Sequence, residues 1–409
     1  MSRPSDGLAA LTRLVAQDAA LAARLRAIED PAALVRAAVA AGAAHGLAVA
    51  ADALERRMDD NRAGFVRPVA PPDPVGDGGP PPVAGGGGAP RLDGWTPFGA
   101  GWIDGAMTVE WCHLGEHRFT DPFFYETIAR AIGTPFNRAF RPRLPADALA
   151  ALAPGVRPSG FVFHMARCGS TLAAQALSAD PRHVVASEPG PVRAMLEAPR
   201  HADLAPERAD AWLAGIVSAL ARPRAPGEDR FFVKFMAADI LELPRIQRVF
   251  PDVPWLFLYR DPVEILASQM RRGGADTGRG TIPPDRLGLT RDAVLAMDRR
   301  EYQLAAMAAY GRAALDGLAR APGRGRVLRY DDLPDGLWRL FATHFGLDPA
   351  LPGFAAMRAA SLRHAKTGAA FTPDGPAKRE AAAAWRPAAE RIVGPVLAAL
   401  DAVRERPAV

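Results

Sequence analysis

The sequence predicts an α/β fold, a parallel sheet flanked by helices, preceded by a small all-helical module and a disordered linker. Three observations lead there. From Gly160 onward, short runs of β-branched and aromatic residues alternate with longer stretches of helical apolar spacing. Residues 5–62 carry the helical period alone. Between Pro68 and Pro90, 15 of 23 residues are Pro or Gly, with too few apolar side chains to offset the entropy of ordering. The expected boundaries are a helical module at 1–63, a linker at 64–94 and an α/β domain at 95–409, whose residues 95–155 form an N-terminal extension.

In the first module, Leu8, Leu11, Leu14 and Val15 line one helical face, and Leu21, Leu25 and Ile28 a second. Asp30-Pro31 reads as an N-cap followed by proline at the first helical position. The third helix carries Leu34, Val35 and Val39 and is punctuated by Gly42 and Gly46, and the fourth carries Leu54 and Met58. So small a bundle has a marginal core, and a partner would complete it. The step from Asp18 to Leu21 and Leu25, the Asp-Pro helix start and the glycine entry to the last helix resemble the Nif-eleven leader-like family. Its members are leader segments of ribosomally made, modified peptides, and the resemblance implies a peptide partner for this module.

After the linker, Thr108 to Trp111 reads as a strand and Pro122 to Ala131 as a helix opened by Asp121 and Pro122. The candidate strands of the sheet are 160–164, 183–187, 230–235, 254–260 and 326–332.

Composition narrows the function classes. With 49% hydrophobic and 23% charged residues the chain is globular, and no run of about eighteen apolar residues suggests a membrane span. The first residues lack a basic-then-apolar signal pattern, which points to the cytoplasm. Two cysteines, Cys112 and Cys168, make neither a disulfide framework nor a multi-cysteine zinc site, and no His spacing suggests a metal. The net charge of +5 comes almost wholly from arginine, with no basic block, so nucleic-acid binding is not expected.

Two constellations carry chemistry. In the first, the apolar run 161–163 leads through His164, Met165, Ala166, Arg167, Cys168 and Gly169 into a helix starting near Ser170 and Thr171. Backbone N–H groups at such a helix start cradle anions, the glycine allows close approach, and arginine and hydroxyls add donors. The spacing is not that of a Walker A loop, because its lysine is absent. In the second, Arg260 ends an apolar strand ahead of Asp261-Pro262, and Ser268 lies about two turns along the next helix. An arginine at such a strand end points into the ligand crevice of an open α/β sheet.

In order and spacing the pair resembles the P-loop-type sulfotransferases that use 3′-phosphoadenosine-5′-phosphosulfate (PAPS), over about Val156 to Val403. The resemblance implies that Arg167, Cys168, Gly169, Ser170 and Thr171 hold the 5′-phosphosulfate. It implies that Arg260 with Ser268 holds the 3′-phosphate, and that Tyr330 lies on the adenine side. PAPS would be the co-substrate, with no metal, and the acceptor a hydroxyl on a small molecule or peptide.

Sulfuryl transfer needs a base for the acceptor and positive charge for the leaving phosphate. Lys234, one of three lysines in the chain, ends an apolar strand and matches the family's bridging-oxygen lysine. The position two residues later, a histidine in the cytosolic small-molecule branch, is Met236. Glu188, after the strand ending at Ser187, matches the glutamate of the tyrosylprotein branch and is the expected base, its pKa raised by partial desolvation. His164 is a weaker base candidate with a role in orienting the loop. Lys366 and Lys378 are further candidates for nucleotide contacts. A P-loop phosphotransferase and a non-catalytic nucleotide- or peptide-binding scaffold are the alternative readings.

Overall fold

The computed structural model describes residues 4–61, 92–271, 278–361 and 375–405. Nearly all of the expected linker lies outside the described residues, as do Lys366 and the loop segment 362–374 around it. The chain divides into two compact units, one of residues 1–156 and 189–228, the other of 157–188 and 229–409.

In chain order the first unit begins with helices α1 (Pro4–Gln17), α2 (Ala19–Arg26), α3 (Pro31–Ala44) and α4 (Ala51–Asp60). Strands β1 (Trp95–Ile103) and β2 (Ala106–His113), helices α5 (Phe124–Ile132) and α6 (Pro135–Ala139) and the short β3 (Arg143–Pro145) follow. The second unit opens with β4 (Pro158–His164), α7 (Ser170–Ser178) and β5 (His183–Ser187). Helices α8 (Gly190–Glu197) and α9 (Pro206–Leu220) belong to the first unit again. The remainder is β6 (Arg230–Lys234), α10 (Leu243–Val249), β7 (Trp255–Tyr259), α11 (Pro262–Arg271), α12 (Arg291–Ala296) and α13 (Arg299–Arg320). It ends with β8 (Gly325–Arg329), α14 (Asp335–Thr343), α15 (Pro352–Ala360), α16 (Gly375–Ala381), α17 (Arg386–Ile392) and α18 (Gly394–Arg404).

Helices α2 and α3 start where short polar side chains take up their first N–H groups. Asp18 accepts from the Leu21 N–H at 2.9 Å and Asp30 from that of Ala33 at 2.7 Å, with Pro31 at the first helical position as expected. Leu11, Val15, Leu21, Leu25, Leu34, Leu54 and Met58 are buried. The helices also lean on α6: Arg138 Nε donates to Met58 O at 2.9 Å and Asn61 Nδ2 to Arg138 O at 2.7 Å. Residues on both sides of the expected boundary at 63 belong to the first unit, to which 189–228 adds two helices. Leu92, expected in the linker, is buried, and its carbonyl accepts from Arg222 Nη1 at 3.0 Å. The helix expected from Pro122 starts at Phe124 instead, because Asp121 bonds to the side chains of Thr127 and Arg130 rather than capping.

The second unit is built on a five-stranded sheet in the order β5-β6-β4-β7-β8, every neighbouring pair parallel. Each predicted strand lies in this sheet, within two residues at its start. The run expected to 332 leaves the sheet after Arg329 and makes a 3₁₀ turn over Tyr330–Asp332. Val162, Phe232, Leu256, Leu258 and Leu328 bury one face of the sheet against Ala173 and Leu177 of α7 and Leu337 and Phe341 of α14. Both faces are covered, which is why the strands read as continuous apolar runs. From central β4 the chain crosses to β5 on one side, and from adjacent β7 it crosses to β8 on the other. The loops leaving β4 and β7 therefore diverge and open a crevice at the strands' C-terminal ends. No helix among the described residues is long and apolar enough to cross a membrane.

Candidate functional site

The crevice is lined first by the turn from β4 to α7. Its backbone is pinned to β7, where Leu258 O accepts from the Met165 N–H at 2.9 Å and from Cys168 Sγ at 3.1 Å. Ala166 and Arg167 both take left-handed conformations, with φ of 64° and 51°, and Gly169 follows at 88°. The positive φ of Gly169 would strain any residue with a side chain, and a Cβ there would lie 2.4 Å from Leu333 Cδ1. Gly169 is also the N-cap of α7, and no side chain caps the helix. Its first N–H groups, at buried Ser170 and Thr171, are those an anion would take.

Two arginines flank the turn. Arg167 Nε donates to Ser268 Oγ at 2.7 Å, joining the loop after β4 to the helix after β7. Buried Arg260 points back at the same turn: its Nη1 donates to Arg167 O at 3.4 Å, and its guanidinium lies 3.6 Å from the centre of the Tyr330 ring. Its Nε donates to Glu264 Oε2 at 2.6 Å. Glu264, itself buried, also pairs with Arg379 of α16.

The third element lies at the tips of β5 and β6, whose register sets Ser187 opposite Lys234. Glu188, the next residue, is left-handed at φ 59° and donates its N–H to Lys234 O at 2.6 Å. Its carboxylate forms an ion pair with the Lys234 ammonium and lies 3.5 Å from His164 Nε2. Burial pushes the Glu188 carboxyl up, but the ammonium and His164 outweigh it and hold the group well below the usual carboxylate range. The expected raised pKa is therefore corrected: desolvation is present, and a cation in direct contact overrides it. Burial and the nearby ammonium keep His164 neutral, lowering its pKa despite Glu188. Burial pushes the Cys168 thiol up to about 11, so in this loop it acts through packing and its hydrogen bond to Leu258.

The structure thus brings Arg167, Cys168, Gly169, Ser170, Thr171, Arg260, Ser268 and Tyr330 to the β4 and β7 tips, and Glu188 with Lys234 to the neighbouring β5 and β6 tips. Within this cluster Ser268 accepts from Arg167, and Arg260 is held by Glu264. Lys378 is buried on α16. Glu264 and Arg379 escaped the sequence reading. The first had a signal, an acidic residue four positions after Arg260 on an opening helix; the second had none, being far away in sequence. Among the described residues, no group of three or more His, Cys, Asp or Glu is arranged to hold a metal.

Fold and loop together define an α/β protein of the strand–loop–helix kind, with a candidate anion site at the topological switch point. No family model and no curated protein matches the chain. Among solved structures, the chain is similar to a sulfotransferase from Alicyclobacillus acidocaldarius, at 15% identity and a TM-score of 0.37, over 62% of this chain and 97% of that one. It is similar to the sulfotransferase domain of the curacin biosynthetic pathway at 16% identity and a TM-score of 0.34, over 60% and 98% of the two chains. The sulfotransferase domain of the Synechococcus PCC 7002 olefin synthase gives 17% identity and a TM-score of 0.33, over 60% and 96%.

Proposed function

We propose that this protein transfers a sulfuryl group from PAPS to an acceptor hydroxyl. The observation that carries the reading is Arg260, whose guanidinium faces the β4–α7 turn from the adjacent strand tip. Two cationic grips at neighbouring tips suit a ligand with two separated anionic ends. In this reading Gly169, Ser170, Thr171 and Arg167 bind the phosphosulfate, with Cys168 packed beneath them. Arg260 and Ser268 bind the 3′-phosphate, and Tyr330 borders the adenine.

Lys234 stabilises charge on the oxygen that bridges sulfur and phosphorus. As that S–O bond breaks, its electron pair stays with the phosphate, the acceptor oxygen bonds to sulfur, and the acceptor proton passes to Glu188. Glu188 is a weak base while it holds the lysine, so the phosphosulfate must draw Lys234 away from it. The acceptor class, a small molecule or a peptide, a peptide-binding role for α1–α4 and a cytoplasmic setting belong to the same proposal.

Incubation with sulfur-labelled PAPS and a panel of phenols, alcohols and peptides tests it. Label is expected in at least one acceptor, with turnover lost in Glu188→Gln. Tight binding of adenosine 3′,5′-bisphosphate without transfer to any acceptor would replace the enzyme by a nucleotide-binding scaffold. The mutual pairing of Glu188 and Lys234 is the feature that favours that second reading.

A further inference from the structure

His164 is the last residue of β4, and its ring is buried between the anion-type turn and the end of β6. Its two nitrogens face different elements. Nδ1 lies 3.0 Å from the Ala166 backbone nitrogen, which has a hydrogen to give, so Nδ1 is the acceptor. The ring proton therefore sits on Nε2, 3.1 Å from Phe235 O just past β6. The residues that follow, Ala166 and Arg167, are consecutive non-glycine residues with positive φ, a conformation that costs free energy at each. Something must hold them there, and the imidazole takes the one backbone donor of Ala166.

We propose that His164 is a positioning residue that sets the anion-binding turn. Nδ1 fixes the left-handed start of the loop, and Nε2–H ties it to the β6 tip that carries Lys234. It thereby couples the strand that presents the lysine to the loop that presents the backbone donors. For the ligand, the inference rests on the functional reading above.

The test has a part that needs no ligand. The imidazole ¹⁵N spectrum of His164 should show the neutral tautomer protonated at Nε2, and the Ala166 amide should exchange slowly with solvent. The Nδ1-protonated tautomer would overturn the proposal. The second part compares His164→Asn, whose side-chain oxygen can replace Nδ1, with His164→Gln, whose amide NH₂ can replace Nε2–H. The Asn variant, losing only the tie to Phe235 O, should keep the slow Ala166 amide and bind adenosine 3′,5′-bisphosphate more tightly than the Gln variant. The Gln variant should lose the slow amide and bind about tenfold more weakly, the equivalent of one buried hydrogen bond. Equal Ala166 exchange in the Gln variant and wild type would sink the inference even if nucleotide binds. Wild type that binds no nucleotide would sink the functional reading and leave the tautomer and exchange results to judge His164.

Discussion

Lys234 and Glu188 form an ion pair of unequal exposure: the lysine side chain is 1% accessible and the glutamate side chain 24%. The cation is buried, and the carboxylate keeps some contact with solvent. Replacing Glu188 by Gln removes the carboxylate paired with a buried ammonium, a change that costs about 3 kcal/mol where such pairs have been broken. Glu188→Gln should therefore lower the urea midpoint as well as reduce turnover by at least about a hundredfold. Unchanged stability would show that the pair is not formed in solution.

The same pair fixes a pH dependence. The folded protein holds the Glu188 carboxyl below its ordinary 4.5, so the unfolded chain takes up this proton first on acidification. The stabilisation is complete above the unfolded value and is lost as pH falls toward the folded one. The stability gap between wild type and Glu188→Gln should then be constant from neutral pH to about pH 5 and narrow below it. Urea titrations at a series of pH values measure that gap. A gap that widened as pH fell from about 7 to 5 would instead mean a raised carboxyl.

Arg260 makes three kinds of contact at once: an ion pair with Glu264, stacking on Tyr330 and a bond to Arg167 O. A lysine keeps the charge but has neither the planar face nor the fork. Arg260→Lys should weaken adenosine 3′,5′-bisphosphate binding by about tenfold or more in calorimetry, the scale of one charge-assisted hydrogen bond. Affinity equal to wild type would remove Arg260 from the site.

Gly169 combines a positive φ with a Leu333 methyl 2.4 Å from where a Cβ would stand. Gly169→Ala should destabilise the fold by about 1–3 kcal/mol and displace the loop. Thermal melts and nucleotide titration would both register the change.

Both cysteines are fully buried, and burial pushes their thiols up, Cys112 to about 12 and Cys168 to about 11. A disulfide reagent at pH 8 should leave both untouched in native protein and modify both in urea. Rapid native labelling of one thiol would reveal an open loop or strand edge.

Much of the architecture was legible in the order of residues. Strands covered on both faces announce themselves as apolar runs, and all five of the sheet were found that way. Asp30 and Pro31 mark a helix start because capping is a local hydrogen bond between residues three apart and proline's fixed φ suits the first turn. The strand–turn–glycine–helix motif ending at Ser170 and the Arg260–Ser268 spacing are likewise local patterns. What tertiary structure alone decided is who pairs with whom. Glu188 and Lys234 meet because β5 and β6 are neighbours in register, and that contact reverses the sign of the carboxyl's expected shift. Arg167 reaches Ser268 across 101 positions, and Glu264 reaches Arg379 across 115. No spacing rule spans such distances. Coulomb energy falls with separation in space, and separation in space is set by which strands lie side by side.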